Sequence, residues 1–396
     1  MVTSSYRPCL VVYVAWHPEN TEGKDFAEHI YSRVSRDIGN PISRGIGIPV
    51  FFRSVPLPQK GMPPEIPLDE AQHSAVVVLV DNKVVSSDPW NDYIEDLWKV
   101  TGKAGSPHRV YPVSMTQHAF NLKGDVPRAN FIRLHDKPIE DRQSFLSCIL
   151  IHELCRLLLN RKRTSAISGQ EFSPAPVKLF ISHAKRDGLE IAKAVRDYIY
   201  RESPLKTFFD ANDITSGYAF DEEIYAQMED AALLAIVTDV YASREWCRRE
   251  IVAAKRLGIP IVVVNAVAKG EERAFPYVGN APTIRWHPAS LQLDEEALKG
   301  DIDATIHLML HEVLKSTYWR HHFADLGKLS IIPESAVCLL RPPELLDLIK
   351  YSEASARGQA ALLVYPDPPL GTCEAELLAS LVPGLKLSTP VFLGGR

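Results

Sequence analysis

Apolar residues follow two rhythms along this chain. Short unbroken runs alternate with longer segments in which apolar positions return every three or four residues. Cys9 to Trp16 reads CLVVYVAW, a run typical of a parallel strand covered on both faces. A helical pattern follows from Gly23 to about Asp37, and Ile48 to Phe52 predicts a second strand. A Pro-rich loop spans 55–67. Ala75 to Val80 is another buried strand. Asp88-Pro89 then opens a helix, Asp88 as N-cap and Pro89 at its first position. Arg109 to Val113 predicts a short strand, and Arg142 to Asn160 a long apolar helix.

A polar stretch ends in Ser173-Pro174-Ala175-Pro176 and reads as a linker. Beyond it the alternation restarts. Strands are predicted at Val177–His183, Thr207–Asp210, Leu233–Thr238, Ile259–Val264 and Thr283–Trp286. Helices fall at Gly188–Arg201, up to about Ala232, and from Ser243 to Arg256, with Ser243 as N-cap. Residues 296–322 predict a connecting helix. The tail reads strand, helix, strand, helix, strand from Ala336 to Pro390, half of a nucleotide-fold sheet. Strands alternating with helices mean an α/β protein built on a flavodoxin-like, doubly wound parallel sheet. The expected organisation is an α/β unit at 1–165, a linker at 166–176, a second unit at 177–290, and a helix with a small α/β tail at 291–396.

The two larger units echo each other. Ala75 to Trp90 aligns with Leu233 to Trp246: a buried strand ends in Asp, and a loop leads through Ser to Trp at a helix start. Val11–Ala15 takes the place of Leu179–Ser182. Four residues past Trp246 stands Glu250, but four past Trp90 stands Ile94. Glu95 is one residue off and points about 100° away. The first unit reads as a degenerate copy.

Charge and cysteine content narrow the function. Over 396 residues the net charge is -5, which gives no general grip on nucleic acid or anionic membrane. No apolar run approaches the roughly 20 residues of a membrane span, and the N-terminus lacks a signal-peptide core. Six scattered cysteines with no CxxC pair fit a reducing, cytoplasmic setting. His152-Glu153 lacks the second histidine of HExxH, and adjacent His321-His322 cannot share a helix face, so no metal site is expected. There is no GxGxxG after a strand and no GxxxxGK[ST]. A nucleotide here is substrate, not a tightly bound cofactor.

The chemistry concentrates in Ser243-Arg-Glu-Trp-Cys-Arg-Arg-Glu250. Trp246 and Glu250, four apart, share a helix face, beside the buried stripe of Cys247, Ile251 and Ala254. In open α/β sheets, ligands sit outside the carboxyl ends of strands. Ser182-His183, Asp210 and the loop before Trp246 lie there.

Three boxes, Phe180-Ile-Ser-His183, Phe209-Asp210 through Gly217, and Ser243 to Glu250, resemble those of a Toll/interleukin-1 receptor (TIR) domain in its bacterial form. TIR domains serve either as interaction modules or as NAD-cleaving enzymes, many in anti-phage defence. In the enzymes the glutamate of the last box is essential, and here that is Glu250. The resemblance implies a substrate site of Phe180, Ser182, His183, Lys185, Asp210 and Trp246 under a loop with Asn212, Asp213, Ile214 and Gly217. It also implies self-assembly, with the loop of one subunit completing the site of the next. NAD+ would be substrate, its product linear or cyclic ADP-ribose. Plain structural roles stay open too: Phe180 as core, Ser182 and His183 as caps, Lys185 as surface. So do a non-catalytic scaffold, and reception of a sensor protein or nucleotide signal by the flanking units.

Overall fold

Strands without polar positions need cover on both faces, and the computed structural model shows how the chain supplies it. It describes residues 6–35, 45–58, 61–103, 105–159, 176–202, 205–209, 228, 231–271, 273–349, 362–382 and 384–394. The chain divides into two compact units, Met1–Ala175 and Pro176–Arg396.

In the first unit, β1 (Val11–Trp16), β2 (Val50–Arg53), β3 (Ser74–Val80), β4 (Arg109–Ser114) and β5 (Ile132–Arg133) form one sheet. Its order is β2-β1-β3-β4-β5 and every pairing is parallel. Central β1 and β3 are buried along their whole length, whereas edge strand β2 leaves Phe51 and Phe52 exposed. The helices are α1 (Thr21–Val34), α2 (Asn82–Ser86), α3 (Asp88–Thr101) and α4 (Arg142–Leu159). Asn20 caps α1, its side chain accepting from Gly23 N at 2.9 Å. The expected cap at Asp88 is displaced. Ser87 holds the N-cap position without a side-chain bond, and Asp88 lies inside the first turn, where its charge still favours the helix dipole. Asn91 secures this corner instead, its amide donating to the Val84, Val85 and Ser87 carbonyls. Alternate strand residues Tyr13, Ala15, Val76, Val78 and Val80 pack with Trp90, Ile94 and Leu97 of α3.

In the second unit, β6 (Lys178–His183), β7 (Lys206–Phe209), β8 (Ala231–Val237), β9 (Ile261–Asn265) and β10 (Thr283–Arg285) form a parallel sheet. Its order is β10-β9-β8-β6-β7. Numbered from each sheet's own first strand, both sheets run 2-1-3-4-5, the flavodoxin-like order. Among the described residues, three helices belong to this sheet: α5 (Leu189–Glu202), α6 (Glu245–Leu257) and α7 (Glu295–Lys328). With 34 residues α7 spans roughly 50 Å. It packs against β8, β9 and α5, and its stripe Ile302, Ile306, Met309, Val313 is buried. Trp286 Nε1 donates to Thr305 Oγ1 at 2.9 Å, and Tyr198 Oη to Asp303 at 2.7 Å.

A smaller parallel sheet closes the chain, β11 (Ala336–Cys338), β12 (Leu362–Val364) and β13 (Lys386–Ser388) in that order. Helix α8 (Thr372–Leu381) adds Leu378 to a core with Leu363, Tyr365 and Leu385. No helix among the described residues is long and apolar enough to cross a membrane.

Candidate functional site

Strand alternation places Phe180, Ser182 and Ala184 on one face of β6. Phe180 and Ala184 share a core cluster with Cys247, Ile251 and Ala254 of α6. Ser182 therefore faces α6 from within an apolar layer, and there it meets Glu250. The Ser182 hydroxyl donates to Glu250 Oε2 at 2.5 Å. Its oxygen lies 2.7 Å from the Tyr241 phenol. With its own proton committed to the carboxylate, Ser182 must accept the phenolic proton. The three groups thus form a directed chain, Tyr241 to Ser182 to Glu250. Glu250 is only 7% exposed. A carboxylate so buried costs several kcal/mol unless hydrogen-bonded, and this chain offsets part of that cost.

The surroundings register the charge. Burial, with Cys247 and Glu250 adding to it, pushes the Tyr241 phenol well above its usual range. Burial and then Glu250 raise the Cys247 thiol to about 12. Cys247 is thus a neutral thiol, donating to the His183 carbonyl at 3.5 Å, which ties α6 to the end of β6.

Helix α6 begins one residue later than its sequence predicts. Arg244 takes the N-cap position with no side-chain bond. Ser243 instead ends the short turn Tyr241–Ser243 and donates back to the Val240 carbonyl at 2.7 Å, a local bond open to serine in any tight turn. Trp246 is 47% exposed, with the Arg249 guanidinium 5.0 Å above its ring. Glu245 pairs with both Arg248 and Arg249.

The structure therefore joins Ser182 directly to Glu250 and sets His183 beside Cys247. Phe180 is core, and Lys185 is exposed. Asp210, Asn212, Asp213, Ile214 and Gly217 lie outside the described residues. Among those described, no cluster of three or more His, Cys, Asp or Glu could hold a metal.

Residues 179–294 match the family model of the TIR domain. This stretch is a TIR domain. No curated protein matches the chain. Among solved structures, the TIR domains of the activated Roq1 resistosome, which directly recognises the pathogen effector XopQ, are 17% identical. That match covers 36% of this chain and 83% of the other, with a TM-score of 0.21. A putative sugar binding protein from Salmonella typhimurium LT2 is 10% identical over 62% of this chain and 86% of its own, with a TM-score of 0.20. At such scores neither likeness informs the site.

Sequence reasoning missed three residues of the TIR domain's carboxyl edge. One is Tyr241 itself. Asp187, in the turn after β6, accepts from Thr238 Oγ1 at 2.7 Å and Val240 N at 3.1 Å, pinning the loop that carries Tyr241. Asp239, just past β8, accepts backbone N–H groups from Ala268, Lys269 and Gly270 at 3.0, 2.9 and 3.0 Å. Burial pushes its carboxyl up, but these three donors outweigh it and hold Asp239 below its usual range. All three stand just past a strand's carboxyl end. That placement was the available signal for the two aspartates, and an aromatic in a polar connecting loop was the signal for Tyr241.

Proposed function

We propose that the TIR domain cleaves the bond between nicotinamide and ribose in NAD+. The observation that carries this reading is Glu250, a buried carboxylate held by the Ser182–Tyr241 chain between a strand end and α6. In the reaction the C1′–N bond breaks heterolytically. The electron pair goes to the nicotinamide nitrogen, which leaves neutral, and C1′ becomes oxocarbenium-like. A fixed anion beside C1′ stabilises that charge without reorganising at the moment of reaction. Ser182 serves by gripping Oε2, which holds the carboxylate in one orientation. Water then adds at C1′ and loses a proton to give ADP-ribose, or an internal oxygen of the nucleotide adds to give a cyclic isomer. Assembly of several copies, under a sensor or nucleotide signal, switches the activity on.

The test is NAD+ loss from purified protein at rising protein concentration, with products read by mass spectrometry. Wild type should consume NAD+ with a rate steeper than linear in protein. A folded Glu250→Gln protein should lose at least about 1,000-fold, the scale of removing the main electrostatic stabiliser. Undiminished turnover in that variant would sink the assignment.

One observation favours a second reading. A half-exposed indole stacked with a guanidinium is the kind of anchor that protein interfaces use, so the Trp246–Arg249 surface suits a non-catalytic interaction module. Self-association without NAD+ loss at any concentration would favour it.

A further inference from the structure

The second unit holds a cavity of about 340 Å³ at the C-terminal end of α6, bounded by the segment that continues β11 and by α7. Its volume lies within the range of small-molecule sites. Its lining is of two kinds. Leu257, Val337, Leu339 and Leu340 give an apolar wall, and Arg256, Arg320 and Arg341 bring guanidinium groups to it.

The charges do not balance. Lys255 and the Asp347 carboxylate also line the cavity, and both Lys255 and Arg341 are engaged by carboxylates. Buried Lys255 bonds Glu344 Oε1 at 2.5 Å. Arg341 bonds Asp347 at 2.8 Å and sits 3.4 Å from Glu344. Against Lys255, Arg320 and Arg341 stand these two carboxylates among the described residues. Arg320 is exposed and has no ion-pair partner among the described residues. A helix C-terminus ordinarily repels anions. Here Gly258, at φ +66°, turns its N–H back onto the Ala254 and Lys255 carbonyls, and Ile259 N also meets Ala254. That end of α6 therefore turns fewer bare carbonyls toward an anion.

We propose that this cavity binds a nucleotide, its ring against the apolar wall and its phosphate on Arg320 and Arg341. Arginine's planar fork suits phosphate oxygens, and an apolar wall beside it suits a flat base. The phosphate would draw on the same guanidinium that holds Asp347, and so reach the buried pair that fastens α6 to the tail. This site is separate from Glu250 and does not depend on NAD+ cleavage.

Cys338 lines the cavity and is exposed, whereas Cys373 is exposed but does not line it. Iodoacetamide labelling of the two thiols in the full chain, followed by mass spectrometry, reads occupancy directly. AMP, GMP, CMP and UMP are the probes, with inorganic pyrophosphate and adenosine as half-ligands. At about ten times its Kd a nucleotide should slow Cys338 labelling roughly tenfold and leave Cys373 unchanged. Arg320→Glu should weaken the protection at least about tenfold, the cost of a lost charge-assisted bond. Glu250→Gln should keep it. Three results would overturn the proposal: no protection by any of the four nucleotides, protection that survives Arg320→Glu, or protection lost in Glu250→Gln. Pyrophosphate protecting as well as the nucleotides would overturn the role of the base.

Discussion

The two five-stranded sheets share one strand order and differ at one spot. In the second unit Ser182 of β6 faces Glu250 of α6, with Tyr241 behind it. In the first unit the same face of β1 carries Ala15, and α3 carries Ile94, both fully buried in one apolar cluster. Both helices bury this position, so burial is set by the fold. What differs is chemistry: a methyl and a branched aliphatic fill the volume and need no partner, whereas a carboxylate needs a donor held at the right distance. The tryptophans diverge in the opposite sense. Trp90 is 1% exposed and Trp246 47%, so the first unit uses its indole as core while the second displays it. The first unit's nearest acid, Glu95, is occupied by structure. It accepts from Asp125 N at 3.1 Å and pairs with Lys99, and a Cβ at neighbouring Gly124 would collide with its carboxylate.

The comparison can be broken from either side. Ser182→Ala combined with Glu250→Ile turns the second site into a copy of the first. NAD+ turnover should vanish, while the urea midpoint holds or rises, because apolar replacement of buried ionic groups is often neutral or stabilising. A marked fall in stability would mean that the chain braces the fold. Ile94→Glu does the reverse, placing a carboxylate opposite Ala15 with no donor. It should cost the first unit about 3–5 kcal/mol of unfolding free energy, and a loss under about 1 kcal/mol would show that the pocket relaxes around a charge. Tyr241→Phe keeps the Ser182–Glu250 bond but removes the donor behind it. A loss of about 1 kcal/mol and a turnover drop of roughly five- to tenfold should follow, and unchanged turnover would make Tyr241 a packing residue only.

The smallest effect concerns protons. Burial, and for His29 also Arg33, holds His29 and His108 of the first unit below their ordinary value of 6.5. The unfolded chain then binds protons first as pH falls through about 6.5. Stability is fully present above that value and declines below it. Urea midpoints between pH 7.5 and 5.5 should fall, and His29→Gln should flatten the slope.

Much of this was legible in the residues. The unbroken apolar runs of β1, β3 and β8 marked central strands, and Ser182 and Glu250 were both named. Their bond was not, because it depends on a rotamer and on Tyr241, which arrives from a loop whose path no periodicity encodes. Caps at Ser243 and Asp88 failed for a shared reason: short polar side chains have several backbone partners within reach, and sequence does not choose among them. The repeat slipped by one position. Aligning Asp81 with Asp239 sets Ala75 against Leu233, yet the residues packed in equivalent core clusters are Val76, Val78, Val80 and Leu233, Ala235, Val237. With a period of two, that slip exchanges the faces of the strand.

Helix α7 bears on where this protein can be cut. The family match stops at residue 294, and Asp294 is the cap that starts α7, accepting from Ala297 N at 3.0 Å. A fragment ending there would lose the partner of the Trp286 indole and the stripe lying over β8 and β9. The segment recognisable by descent is thus shorter, by at least one helix, than the layer of structure packed onto its sheet.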